Sequence, residues 1–259
     1  MTQNTFWMHK SVYTALGGKG FSFFSLPHLI WLAVLFAAIA LFVFVYRRGS
    51  AERRGGMRKG AALFLILFEI GKLCVIGLTG APVAVNLPLH ICSFAEYTIL
   101  IDALWPENRF WGSLLCYAFL PAAFMALLFP TSTAYPPISF YPIHHFVLHA
   151  GIVAYILARY ASGEIRLDYK GVWITFLSIC VLVVPLYFLN AAFDVNFVFL
   201  MDHSDNPALK FIWDLSGGTG GFSYILGLGV LTLVVLHVMY GIFAAVKAFG
   251  KKRPKRQIR

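Results

Sequence analysis

The sequence predicts an all-α membrane protein in which seven transmembrane helices form a single domain over residues 1–259. Apolar residues make up 59% of the chain and charged residues only 12%, and the mean hydropathy is +0.75. This composition excludes an ordinary soluble domain. Seven apolar runs, each near the ~20 residues that cross the hydrocarbon core as helix, set the number of predicted spans.

The runs divide the chain into three parts. They cover residues 28–46, 60–79, 86–104, 110–129, 142–159, 171–190 and 221–246, which together predict a helix bundle over residues 28–246. Residues 1–27 lack the basic start, apolar run and cleavage site of a signal sequence, so we expect them to lie along the outer interface. Residues 247–259 are predicted to form a basic cytoplasmic tail.

The distribution of basic residues predicts the orientation of the bundle. Most of them fall on one side, in the segments after the first, third and fifth runs and in the tail: Arg47, Arg48, Arg53, Arg54, Arg58, Lys59, Arg109, Arg159, Arg166, Lys170, Lys247, Lys251, Lys252, Arg253, Lys255, Arg256 and Arg259. Positively charged loops stay in the cytoplasm, so the amino terminus is predicted to lie outside. The chain is then a multi-pass protein of the cell membrane, and because orientation accounts for its net charge of +10, no nucleic-acid partner is expected.

Two outward-facing loops are long enough to shape a site. Residues 130–141 contain Pro130, Pro136 and Pro137, too many prolines for a helix. Residues 194–220 contain the polar residues Asp194, Asn196, Asp202 and His203 and the apolar stretch 197–200, and they end in a glycine-rich run. A loop of this length is uncommon unless it is functional or disordered, and we expect it to form a re-entrant or lid-like cap.

Reactive side chains are concentrated on the third and fifth predicted helices. Cys92 and Glu96 lie one turn apart and share a face. If the third helix starts near Asn86, its ~1.5 Å rise per residue places Cys92 about 9 Å deep, and the same count on the fifth helix places His149 about 10 Å deep. A thiol and an imidazole at equal depth can act as nucleophile and general base where their helices are neighbours.

Other interpretations of the third and fifth helices stay open. Cysteine in a transmembrane helix is usually a packing residue, and the four cysteines are spread singly, so no disulfide framework is expected. His145 and His149, spaced i, i+4, could bind a metal ion together with Cys92 or Glu96.

Polar residues elsewhere in the runs also have alternative roles. Glu69 and Lys72 are predicted first as a buried ion pair. Asn190 and Asn196 could donate to an oxyanion or only cap a helix end. Asp102 is expected to be solvated near the cytoplasmic end of the third helix.

Several motifs resemble those of a known family, the bacterial YwaF-like integral membrane proteins related to animal transmembrane protein 164. They are FEI at 68–70, LPLHICS at 87–93, HHFVLHAG at 144–151 and NAAFDVNFVFL at 190–200. The resemblance covers nearly the whole chain. The animal relative is understood as a phospholipid acyltransferase that uses a cysteine and a histidine within the membrane, and more distant relatives hydrolyse fatty-acid esters with a threonine and a histidine.

The resemblance implies that Cys92 accepts an acyl group and that His149 is its base, with His144 or His145 as the alternative base. Further positions that match the family pattern are Glu69, His90, Asn190 and Asn196. The chain departs from that pattern at residues 220–224, which read Gly-Gly-Phe-Ser-Tyr where Trp-Pro-Trp-Tyr is expected. We therefore expect the lid, and with it the choice of substrate, to differ more than the reaction.

The predicted function is an enzymatic one, the transfer of a fatty acyl group between phospholipid and lysophospholipid through a cysteine thioester, with no metal ion and no cofactor. One alternative is a transporter or small-solute binding protein whose polar path includes Glu69, Lys72 and Glu96, although no inverted repeat is visible. Another is a membrane lipid ester hydrolase, metal-dependent if His145 and His149 hold an ion. The lipid bilayer is the expected environment in each case.

Overall fold

The computed structural model describes residues 5–204 and 206–251, and every regular element within these ranges is a helix. The predicted tail beyond residue 251 and the first four residues of the interfacial segment lie outside the described residues. The α-helices are α1 (Lys10–Ala15), α2 (Leu26–Arg48), α3 (Ala51–Thr79), α4 (Ile91–Leu104), α5 (Arg109–Leu114), α6 (Leu120–Leu128), α7 (Phe140–Ala161), α8 (Tyr169–Phe193), α9 (Pro207–Leu215) and α10 (Phe222–Lys251).

Six helical segments of the described chain are long and apolar enough to cross a membrane. They are α2, α3, α7, α8, the continuous stretch Arg109–Leu128 and Phe222–Phe249 of α10. The remaining predicted run, residues 86–104, gives only the 14-residue α4. At ~1.5 Å per residue α4 is about 21 Å long, shorter than the ~30 Å hydrocarbon core.

The predicted start of the third helix near Asn86 is wrong. Asn86 ends a 3₁₀ turn, and α4 begins only at Ile91, with His90 as its N-cap in an extended conformation. Leu87 precedes a proline, which biases it away from the helical region. The consequence is that Cys92 lies in the first turn of α4 rather than two turns inside a longer helix.

The stretch Arg109–Leu128 changes its hydrogen-bonding pattern halfway. Between α5 and α6, residues 115–119 form a π-helical turn, and all five are buried. Pro121 follows this turn and has no N–H to donate, which accounts for a local break in the regular ladder.

Helix α7 lies at the centre of the bundle. It packs against α2, α3, α4 and α6, and its buried side chains include Phe146, Ile152 and Tyr155. Helix α10 lies at the periphery, where it contacts α8, α9 and the π-helical turn. An element surrounded on several sides can bring together residues from distant parts of the sequence, and both sites described below use α7.

The loop at residues 194–220 folds back onto the bundle and has helical structure of its own. It contains a 3₁₀ turn at Phe197–Phe199 and the helix α9. Phe197 and Leu200 are buried. Val198 has a φ of 59°, which a β-branched residue rarely adopts, so the surrounding contacts hold this turn in place.

The expectation that Asp102 is solvated is wrong, because this residue is fully buried. Its Oδ2 accepts hydrogen bonds from the Tyr155 hydroxyl at 2.6 Å and from Arg159 Nη1 at 2.8 Å. A charge removed from water requires a partner of opposite charge, and Arg159, only 1% exposed, supplies it from the neighbouring helix.

Candidate functional site: a thiol–imidazole pair within the bundle

Cys92 and His149 are in direct contact. The sulfur of Cys92 lies 2.8 Å from Nε2 of His149, so α4 and α7 meet at this level. Cys92 is the second residue of α4, whereas His149 lies well inside α7. The extended segment before α4 brings the two to one level despite this difference in helical position.

The backbone of α7 fixes the tautomer of His149. Its Nδ1 contacts the main-chain carbonyl of His145, and because a carbonyl oxygen can only accept, Nδ1 carries the proton. This assignment follows from the hydrogen-bonding pattern. Nε2 therefore has a free lone pair and accepts the S–H of Cys92, which is the arrangement in which an imidazole can take the thiol proton.

The other two histidines of α7 are bound to different partners. His145 Nε2 donates to the Ala126 carbonyl at 2.9 Å, on the neighbouring α6. His144 Nε2 lies 3.2 Å from Glu69 Oε2, and its ring stacks on Phe68. Both Nε2 atoms thus have partners other than Cys92, and His149 is the histidine in contact with the thiol.

Glu69 contacts two charged or ionisable groups near the pair. Its carboxylate contacts Lys72 on the same helix and His144 on α7. Glu69 is 4% exposed, so its charge requires such partners. The pairing of Glu69 with Lys72 agrees with their spacing, but the contact with His144 crosses between helices and was not expected from the sequence.

Glu96 differs from Glu69 in having no partner. It is fully buried, and neither of its carboxyl oxygens makes a hydrogen bond within the described part of the chain. Glu96 lies one turn after Cys92 on the same face of α4. Burial of a polar group without a hydrogen bond is costly, so this unsatisfied carboxyl group requires an explanation other than packing.

His90 connects the thiol region to the loop at residues 194–220. Its Nδ1 accepts a hydrogen bond from the Val198 N–H at 3.4 Å, and its ring contacts those of Phe197 and Phe199. His90 is the N-cap of α4, two residues before Cys92. The 3₁₀ turn of the loop is thus packed directly against the start of the helix that carries the thiol.

Asn190 and Asn196 hold the shape of the same loop. The Asn190 amide donates to the Phe197 carbonyl and accepts from the Phe197 N–H, both at 2.9 Å. Asn196 donates to the Asp202 carbonyl and accepts from the Met201 N–H. Both side-chain amides are therefore engaged with the backbone of the loop, and Asn196, the N-cap of the 3₁₀ turn, makes no side-chain capping hydrogen bond.

The alternative metal site would need the ring nitrogens of His145 and His149, and these nitrogens have other partners. His145 Nε2 is bonded to a carbonyl, and His149 uses one nitrogen for a carbonyl and the other for Cys92. Across residues 5–204 and 206–251, no three His, Cys, Asp or Glu side chains are grouped in a way that could hold a metal ion.

The contacts that sequence reasoning missed are mainly main-chain ones. The carbonyls of Ala126 and His145 orient two imidazoles, and the Val198 N–H orients a third. Every residue carries such groups, so no residue type marks them in the sequence. The i, i+4 spacing of His145 and His149 was the one signal available, since it places a side chain over the carbonyl one turn earlier.

The fold and the site together define a polytopic helical membrane protein with a cysteine–histidine pair between two of its helices. The sequence profile of the TMEM164 family matches residues 23–240, and the chain belongs to that family. This confirms the resemblance to transmembrane protein 164 that its motifs carry. No curated protein and no solved structure matches the chain.

Proposed function

We propose that this protein is a membrane lipid acyltransferase that moves a fatty acyl group from a phospholipid to a lysophospholipid through a thioester on Cys92. The observation that carries the proposal is the 2.8 Å contact between the Cys92 sulfur and a His149 nitrogen whose tautomer the backbone fixes. A cysteine that only fills space between helices would not require an imidazole nitrogen aligned with its thiol. Acyl transfer by cysteine and histidine is also the activity that the resemblance implies.

In the first half-reaction His149 Nε2 takes the proton of Cys92, and the thiolate attacks the ester carbonyl carbon of a phospholipid. The ester C–O bond breaks as the C–S bond of the thioester forms. His149 returns its proton to the departing oxygen, which leaves as the hydroxyl group of a lysophospholipid. The partial positive charge at the start of α4 favours the negative charge on the thiolate and on the tetrahedral intermediate.

In the second half-reaction a lysophospholipid hydroxyl occupies the position of the leaving group. His149 takes the hydroxyl proton, the oxygen attacks the thioester carbonyl, and the C–S bond breaks. The thiolate then recovers its proton from His149. In this proposal Glu96 accepts a hydrogen bond from the substrate hydroxyl, which is supported by its buried carboxyl group making no hydrogen bond within the described residues.

An apolar groove on α4, the helix that carries Cys92, supports a lipid substrate. It has a volume of about 180 Å³ and runs along α4 between Ile91 and Ile101, with Ile179 and Leu182 of α8 on its other side. Ile91 is the chain neighbour of Cys92. We propose that an acyl chain lies in this groove with its ester end toward the start of α4, where apolar walls disfavour the water that would hydrolyse a thioester.

The proposed topology places seven spans in the cell membrane, with α4 as the short third one, the amino terminus outside and the tail in the cytoplasm. Its support is the excess of Lys and Arg at one end of the bundle. A reporter fused after Arg259 should be cytoplasmic, and one inserted near Thr133 should be external. The opposite pattern would contradict the orientation.

Trapping the intermediate tests the proposed chemistry. Purified protein is incubated with a phospholipid carrying an alkyne-tagged acyl chain and no acceptor, and the label on the protein is located by mass spectrometry. We expect the tag on Cys92 and its release by neutral hydroxylamine, which cleaves thioesters. Cys74→Ala and Cys180→Ala serve as matched controls, because these exposed thiols lie outside the site.

The alternative functions predict different results. A transporter or solute-binding protein would carry no acyl label on any cysteine, and a metal-dependent hydrolase would lose its activity on chelation. A label that survives in the Cys92→Ala protein would contradict the proposed nucleophile.

A further inference from the structure

A second cavity opens at the other end of the bundle from Cys92. It has a volume of about 510 Å³ and lies where three turns meet, between α2 and α3, between α4 and α5, and between α7 and α8. Pro106, on its wall, is 14 residues after Cys92, about 20 Å away at helical rise. The cavity is therefore separate from the thiol–imidazole pair.

Arginine side chains dominate the wall of this cavity. Three of them converge on Glu164: Arg54 Nε at 3.1 Å, Arg58 Nη1 at 3.1 Å and Arg159 Nε at 3.2 Å. The hydroxyl of Tyr46 also donates to this carboxylate. Arg159 makes its second ion pair with Asp102, which lies beneath the wall.

The charges of this inner cluster do not balance. Three guanidinium groups, of Arg54, Arg58 and Arg159, face only two carboxylates, those of Glu164 and Asp102. One positive charge is left over. At the rim, Arg109 is paired with the exposed Asp168, and the opposite charges of Arg166 and Glu107 also line the opening, so they do not remove the excess.

Some arginine donors in the cavity are unused. The Nε–H of Arg58 is buried and makes no hydrogen bond within the described residues. Arg166 is exposed at the rim and has no ion pair or hydrogen bond in this part of the chain. The excess positive charge of the inner cluster and the unpaired guanidinium of Arg166 at the mouth of the cavity point to an anionic acceptor that enters from outside.

We propose that this cavity binds the phosphate group of a singly charged phosphodiester, such as an anionic lipid headgroup. Guanidinium groups match phosphate oxygens geometrically, with two parallel N–H donors each. One negative charge would neutralise the inner cluster, and a volume of about 510 Å³ admits a glycerol–phosphate unit. The cavity would then anchor a lipid at the face of the bundle opposite the proposed reaction.

The experiment measures binding to the full-length protein in neutral detergent by the shift in its melting temperature. The probes are inorganic phosphate, glycerophosphoglycerol and phosphatidylglycerol, each compared with sodium chloride at the same ionic strength. We expect a specific shift with at least one phosphate probe. A response to the soluble probes identifies the phosphate group as sufficient, and a response to phosphatidylglycerol alone identifies a lipid as the ligand.

Variants at an exposed residue keep the test free of folding defects. Arg166→Gln should weaken binding about threefold to fivefold, the effect of one solvent-exposed charge contact, and Arg166→Glu should weaken it further. Arg53 is the matched control, because it is exposed on α3 and does not line the cavity. Arg53→Gln and Arg53→Glu should bind as the wild type does.

Two results would overturn the proposal. One is that no phosphate probe shifts the melting temperature more than chloride does, and the other is that the Arg53 variants weaken binding as much as the Arg166 variants. The Cys92→Ala protein separates this proposal from the enzymatic one, since it should bind the phosphate probes with unchanged affinity even though acyl transfer is lost.

Discussion

The substitution His149→Asn tests the role of the imidazole without requiring a known substrate. Asparagine is close to histidine in size and can still hydrogen-bond, but it cannot accept a proton. In the wild type, Nε2 lies 2.8 Å from the Cys92 sulfur and is free of hydrogen. A positioned general base contributes about 10²–10⁴-fold to a rate. We therefore expect alkylation of Cys92 to slow by at least about 100-fold in His149→Asn.

The assay measures how fast a membrane-permeant iodoacetamide modifies Cys92, in a background where the exposed Cys74 and Cys180 are replaced by serine. His145→Asn is the matched control. An amide at position 145 can still donate to the Ala126 carbonyl, and the His145 carbonyl that holds His149 is part of the main chain. The cost should stay near that of one weakened hydrogen bond, about 0.5–1.5 kcal/mol, or at most about tenfold in rate.

Equal alkylation rates in the wild type and in His149→Asn would refute the reasoning. A larger loss of alkylation rate in His145→Asn than in His149→Asn would also refute it, because His145 would then be the general base. Size-exclusion chromatography of each variant shows whether a slow rate reflects chemistry or a collapsed bundle.

Removing a buried charge should cost more stability than removing an exposed one. Asp102→Ala leaves Arg159 buried with fewer partners and should lower the free energy of unfolding by about 3–5 kcal/mol, as equilibrium unfolding in SDS would measure. Asp168→Ala removes an exposed ion pair and the N-cap hydrogen bond to the Gly171 N–H, and should cost about 0.5–2 kcal/mol. Equal costs would contradict the burial of the Asp102–Arg159 pair. Asn190→Ala removes both side-chain bonds to the Phe197 backbone, so a water-soluble maleimide should label Cys92 faster than in the wild type, and an unchanged rate would mean that the loop does not cover the thiol. Glu69→Gln should lower acyl transfer in a protein that remains folded, and an unchanged rate would limit Glu69 to its pairing with Lys72.

The sequence predicted the helices well because apolar runs of about 20 residues have few alternatives to a membrane span. It failed at element ends and at breaks in the hydrogen-bonding ladder. The start of α4 at Ile91 and the π-helical turn at residues 115–119 depend on local backbone geometry around Pro88 and Pro121. A hydropathy pattern carries no information about that geometry.

Contacts between residues of different helices were harder to predict from the sequence. Counting helical rise from the predicted helix starts placed Cys92 and His149 at a similar depth, although the predicted start of α4 was five residues too early. Asp102 was misjudged because nothing in its own helix indicates Arg159, which lies 57 residues further along the chain. The arginine-lined cavity was missed for the same reason, since the residues around it come from three separate turns and looked individually like loop charges that set orientation.

Acyl transfer itself tests the central claim most directly. Purified protein in mixed micelles receives a diacyl phospholipid with a labelled acyl chain and an unlabelled lysophospholipid, and the label in newly formed diacyl product is followed over time. We predict transfer by the wild type, retention of activity in Cys116→Ala, and a loss of at least about 10³-fold in Cys92→Ala. Transfer at the wild-type rate by the Cys92→Ala protein would contradict the account.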